Sequence, residues 1–118
     1  MKKFVAIYLG TPETFEKSGW NALTPAARKE KEAAGMKAWM DWGTAHQGAI
    51  LNTGSPLGKT KRVSARGFTD TKNALTGYVI VQAESHEAAA KLFLNHPHFT
   101  IFPGEAVEIM ECLPLPGQ

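Results

Sequence analysis

The chain has 118 residues, the length of one domain (1–118), and its 43% hydrophobic and 20% charged residues describe a folded globular protein and exclude a disordered one. A formal net charge of +2 is too small to demand nucleic acid or an anionic lipid surface as a partner. The single cysteine, Cys112, excludes an internal disulfide and fits a reducing compartment.

Residues Phe4 to Leu9 are rich in β-branched and aromatic side chains and predict a strand. Val5, Ile7 and Leu9 share one face, and Phe4, Ala6 and Tyr8 the other. Both faces are apolar, so the strand is expected to be covered on both sides. The opening run is too short and interrupted for a signal peptide. No stretch approaches the roughly 20 apolar residues of a membrane span. The expectation is a soluble, cytoplasmic protein with no membrane partner.

Thr11-Pro12 breaks the strand, and residues 12–23 read as a short helical turn and a loop. Thr24-Pro25 gives an N-cap with proline at the first helical position, and predicts a helix to about Gln47, with Gly48 as its stop. The interleaved run Arg28-Lys29-Glu30-Lys31-Glu32 makes the first half of that helix a solvated face. Its second half carries an apolar stripe, Met36, Trp39, Met40 and Gly43, with Trp42 beside it and His46 one turn beyond Trp42.

Ala49 to Asn52 reads as a short strand and Asn52 to Gly58 as a loop. Arg62 to Gly67 reads as a weak, polar edge strand, and Phe68 to Asn73 as a turn. Leu75 to Ala83 is the clearest strand, again apolar on both faces. Ser85 caps a second helix carrying Ala89, Leu92 and Phe93, with His96 next on that stripe. Pro97 disfavours helical geometry at His96, so this helix should end near Asn95. A loop through Pro103-Gly104 leads to a last strand, Ala106 to Leu113.

The pattern is α+β: a ferredoxin-like βαββαβ subunit with one antiparallel sheet. Its helices cover one sheet face only. Because the strongest strands are apolar on both faces, the open face is expected to meet a second copy, giving a homodimer.

Several groups could carry chemistry. Gly58-Lys59-Thr60 imitates the end of a phosphate-binding loop, but Thr53 stands where that motif needs glycine and no helix follows. His96-Pro97-His98 offers two imidazoles in a rigid turn, suited to moving a proton near neutral pH. Two nitrogens do not complete a zinc site, so no metal is expected. His96 could equally be a buried, hydrogen-bonded residue at a helix end. Trp39, Trp42 and His46 either pack a core or dimer contact, or line an apolar ligand cavity with a polar tip. Arg66 is either an anion anchor or an edge charge, and Asp70 either contacts ligand or serves its turn. Cys112 reads as a buried structural thiol.

Several segments together resemble the YCII-related proteins. They are Gly35-Met36-Lys37-Ala38-Trp39-Met40-Asp41-Trp42, Gly54-Ser55-Pro56-Leu57-Gly58, Leu75-Thr76-Gly77-Tyr78-Val79-Ile80-Val81 with Ala83-Glu84-Ser85, His96-Pro97-His98-Phe99, and Val107-Glu108-Ile109-Met110. In order and spacing they span roughly residues 3 to 115. The resemblance implies a ferredoxin-like subunit and a dimeric α/β barrel, in a superfamily that includes muconolactone isomerases, cofactor-free monooxygenases and haem-dependent chlorite-degrading enzymes. Some members carry a catalytic histidine in the first helix. Its place falls near Lys37 here, so that base is absent, and the Asp-Gly-Pro-Phe segment of a sister branch is missing too, with Arg66-Gly67-Phe68 standing nearby instead.

Two functions follow as expectations. The first is an enzyme moving a proton on a small, partly apolar molecule without a cofactor, with His96 and His98 as its acid/base pair and Trp39, Trp42, His46, Arg66 and Asp70 around the ligand. The second is a non-catalytic dimeric module that holds a metabolite or a partner.

Overall fold

The computed structural model describes residues 1–117. In chain order it has β1 (Lys2–Leu9), α1 (Pro12–Ser18), a 3-10 turn (Trp20–Ala22), α2 (Pro25–Ala45), β2 (Ile50–Pro56), β3 (Thr60–Ser64), β4 (Gly67–Thr71), β5 (Leu75–Ala83), α3 (His86–Lys91), α4 (Pro97–Thr100) and β6 (Ala106–Glu111).

The two central strands are the two with the densest apolar sequence. β1 pairs antiparallel with β5, aligning Phe4 with Val81 and Ala6 with Val79. β6 adds to the other side of β1, and β2 to the other side of β5, giving the order β2-β5-β1-β6. This is the ferredoxin-like α+β arrangement. Phe4, Ala6, Tyr8, Val79, Val81 and Ala83 point to the helical side, where they bury with Ala89 and Phe93. Burying the larger of these, Phe4, Val79, Val81 and Phe93, contributes roughly 1.5–3 kcal/mol each and is the main force holding helices to sheet. Trp39, Trp42, Leu92, Val107 and Ile109 close the edges of this core.

The opposite sheet face carries the residues of alternate parity, among them Val5, Ile7, Tyr78 and Ile80, and it is only half-buried. Among the described residues no helix lies on it.

Local chemistry sets the helix ends. Thr24 Oγ1 accepts from the Ala27 N–H at 3.1 Å, and Pro25 opens α2. The helix stops at Ala45, short of Gln47. In place of a loose turn and loop, residues 12–23 hold a complete short helix and the 3-10 turn. Thr11 Oγ1 accepts from the Thr14 N–H, while Thr14 Oγ1 accepts from the Thr11 N–H at 2.9 Å, so both free donors are satisfied.

Four further segments differ from expectation. β2 continues through Asn52–Pro56, expected as loop, by means of two register irregularities that let an edge strand carry glycine and proline. Phe68 to Asn73, expected as a turn, supplies β4; the turn sits earlier, at Ala65-Arg66, and joins β3 to β4 in a hairpin separate from the main sheet. α3 ends at Lys91, and the chain reverses through Asn95, whose φ of 59° is left-handed. Pro97 then starts a new short helix, because His96, held extended before the proline, becomes its N-cap. β6 ends at Glu111, and Cys112 is exposed just beyond it, not buried.

Candidate functional site

A cleft of about 350 Å³ opens on the helical side, between α2, β2 and the segment following α4. Such a volume suits a small molecule. Met36 and Trp39 of α2 line it together with Phe102, and residues Thr53 to Pro56 of β2 form the facing rim. Tyr8, Gly77 and His98 complete it from the sheet and from α4. None of its lining residues is Lys, Arg, Asp or Glu.

The rim is shaped by the bulge in β2. Gly54 sits at φ 65°, and Asn52 Oδ1 accepts from its N–H at 2.8 Å. A Cβ at Gly54 would overlap the carbonyl of Tyr78, so glycine alone lets the edge strand come this close to β5.

The histidines of His96-Pro97-His98 have different surroundings. His96 is 0% exposed, boxed by the rings of Trp39, Trp42, Tyr8 and Phe93. Its Nδ1 accepts from the His98 backbone N–H at 3.0 Å. Burial, with smaller contributions from His98 and His46, pushes its pKa down to about 3, so the ring is neutral near pH 7. Its one proton is therefore on Nε2, which faces Tyr8 Oη in a long bond of 3.4 Å. His96 donates and Tyr8 accepts.

His98 is 7% exposed and lines the cleft. Its Nε2 lies 2.8 Å from the Leu9 carbonyl, which can only accept, so Nε2 carries the proton. Burial lowers the His98 pKa, while the Leu9 carbonyl pulls the other way more weakly. The neutral ring keeps a lone pair on Nδ1, which has no hydrogen-bond partner among the described residues. Gly104 fixes the ring from behind: its N–H donates to the His98 carbonyl at 2.9 Å, and a Cβ there would collide with the imidazole. Burial pushes the Tyr8 phenol above its usual range, so it stays protonated. Since Tyr8 Oη already accepts from His96, its own proton is free to be given away. The Tyr8 and His98 rings lie 5.1 Å apart.

Of the other residues singled out from sequence, Trp39 lines the cleft and also meets the His96 ring edge-on at 4.5 Å. Trp42 packs into the core, its Nε1–H donating to the Leu92 carbonyl at 2.7 Å, and His46 lies against it at 5.2 Å. Neither lines the cleft. Arg66 and Asp70 are on the β3–β4 hairpin, where Asp70 pairs with Lys61 at 2.6 Å. They too lie outside the cleft. Tyr8, Met36, Phe102 and the β2 rim are site residues that the sequence alone does not single out. Among the described residues no three of His, Cys, Asp and Glu gather in a group able to hold a metal ion. Among the same residues no helix is long and apolar enough to cross a membrane.

No protein-family model and no curated protein matches the sequence. Among solved structures, the chain is similar to 5-chloro-2-hydroxyhydroquinone dehydrochlorinase from Burkholderia phenoliruptrix AC1100, in complex with 2,5-dihydroxybenzoquinone. The match has a TM-score of 0.51 and 16% identity, and covers 92% of this chain and 90% of that one. At that identity the likeness shows a shared fold.

Proposed function

We propose that the chain is an enzyme that binds a small, neutral, flat carbonyl compound in the cleft and moves a proton on it. The carrying observation is the hydrogen-bond pattern around two adjacent groups. Tyr8 is left with a proton to donate, and His98 is left with a lone pair on Nδ1. A donor beside a base matches a carbonyl with an acidic C–H next to it. His98 Nδ1 takes that proton, the electron pair of the broken bond moves into the carbonyl oxygen, and Tyr8 Oη–H stabilises the oxyanion. The imidazolium then returns the proton elsewhere on the ligand. The sum is a tautomerisation, which needs no co-reactant.

The lining supports this reading. It has no charged side chain to neutralise an ionised ligand, and Trp39 and Phe102 offer flat apolar walls. The dehydrochlorinase of similar fold is in complex with a planar hydroxylated quinone, a molecule of this general shape. His96 acts behind Tyr8 as a positioning residue, and Trp39 is the one tryptophan in the ligand wall.

The motif order supports placing residues 1–118 as one domain with the YCII-related proteins, and the single cysteine fits the reducing cytoplasm. The half-buried apolar sheet face supports pairing of two copies through it.

Solvent exchange tests the function. In deuterated buffer, wild-type protein should speed deuterium uptake at the acidic position of enolisable diketones or hydroxyquinones, and His98→Ala should not. Tight binding of these compounds with no exchange by wild type would favour the non-catalytic binding module.

A further inference from the structure

The β3–β4 hairpin is the part of the molecule that its own chain explains least. It is hydrogen-bonded to neither edge of the main sheet, and every residue from Lys61 to Asn73 is exposed. A two-stranded hairpin alone is marginal in water. Its internal supports are modest: the exposed Lys61–Asp70 pair and Lys61 at 6.0 Å over the Phe68 ring. Yet Val63 and Phe68, directly opposite each other, are 79% and 69% exposed. The radius of gyration is 16.3 Å, against about 13.5 Å for a compact domain of this length.

Charge says what such an arm would meet. Residues 59–72 hold five cations (Lys59, Lys61, Arg62, Arg66 and Lys72) against Asp70. At the far edge of the sheet, Glu105, Glu108 and Glu111 on or beside β6 belong to a C-terminal stretch with no Lys or Arg after Lys91. None of the three is in an ion pair among the described residues. The basic arm leaves from the β2 edge, and the acidic strand forms the opposite edge of the same sheet. Two sheets stacked face to face about a two-fold axis parallel to the strands bring each β2 edge over the partner's β6 edge. A two-fold perpendicular to the strands would instead set like edges together. Opposite charges favour the first arrangement.

We propose that the hairpin is an exchange arm: each copy lays its β3–β4 arm along β6 of a second copy, with Val63 and Phe68 against the partner sheet and the arm's cations facing Glu105 and Glu108 at the β6 edge. This rests on the pairing of open sheet faces proposed above, and it adds which edge meets which and what binds them. A two-fold contact makes the exchange reciprocal, so every arm and every acidic edge is used.

The experiment uses the full chain. Sedimentation and light scattering should give a dimer for wild type. The Val63→Ser/Phe68→Ser double variant should weaken that dimer by about tenfold or more. Glu105→Lys/Glu108→Lys should weaken it too, with recovery when mixed in equal amounts with a Lys61→Glu/Arg62→Glu chain. The dimer should also weaken with salt. A monomeric wild type at micromolar concentration overturns both the pairing and the arm. A dimer whose dissociation constant ignores the arm variants overturns the arm alone. Should the double variant unfold, crosslinking decides: in a Cys112→Ser background, Phe68→Cys on one chain and Glu108→Cys on another should form a disulfide between chains. No such bond, or one formed only within a chain carrying both cysteines, overturns the exchange.

Discussion

His96 and His98 stand two residues apart with the same side chain, and the fold gives them opposite work. Both nitrogens of His96 are engaged inside the protein, one by the His98 backbone and one by Tyr8. Among the described residues only one nitrogen of His98 is engaged, by the Leu9 carbonyl. The comparison teaches that a histidine becomes available for chemistry through the nitrogen its neighbours leave free, and that exposure alone is a poor guide: both residues are buried. A helix of one turn is enough to produce the difference, because the N-cap position spends the imidazole of His96 on a backbone donor while the second helical position points His98 elsewhere.

The largest expected effect is on turnover. His98→Ala should lower the exchange rate by about 10²–10⁴-fold while ligand binding, read by tryptophan fluorescence, persists. Equal loss from His96→Gln, at matched stability, would break the contrast between the two.

The next concerns acid. The folded pKa of His96, about 3, lies below the unfolded value of 6.5. The unfolded chain therefore binds the proton more readily, and the stability from the neutral buried ring is present above pH 6.5 and lost as pH falls toward 3. Complete protonation would cost on the order of 4–5 kcal/mol, a large share of a domain's total. Urea titrations between those pH values should show that decline, and it should flatten in His96→Gln. The lowered pKa of His98 works in the same direction. It also keeps His98 a free base somewhat below the usual histidine range, so the acid limb of the exchange rate should lie under pH 6.5.

Tyr8→Phe should lower the exchange rate by roughly 10²-fold, as for removal of one oxyanion donor. It also strands the His96 Nε2–H and should cost about 1–3 kcal/mol of stability in chemical denaturation. The smallest effect sharpens the boundary of the site. Trp42→Phe removes the bond to the Leu92 carbonyl and should cost about 1 kcal/mol, with the exchange rate unchanged.

How much of this is legible in the sequence follows from where physical constraint is local. β1, β5 and the N-caps at Thr24 and Ser85 are readable, because strand propensity and capping act within a few residues. The end of β2 is not, since Gly54 and Pro56 read as loop until β5 is present to pair with them. The hairpin is half readable: its strands have no buried face, so no periodicity marks them. Pro97 shows that a helix ends but not that another begins, because His96 caps the new one with its own ring. In the site, residue type alone marks His98 and Trp39. Tyr8 reads only as a strand residue, and nothing near Phe102 in sequence connects it with Met36. Those meetings are made by the packing of α2 and the chain after α4 beside the sheet.

Gly54 has a consequence for how the cleft could change over generations. Any side chain at that position drives into the Tyr78 carbonyl, so one rim of the cleft is closed to variation. Met36, across from it, is an exposed and flexible side chain on a helix surface, free to be exchanged without disturbing the core. A lineage carrying this fold would therefore retune its ligand preference from the helix, while the edge strand keeps its contour.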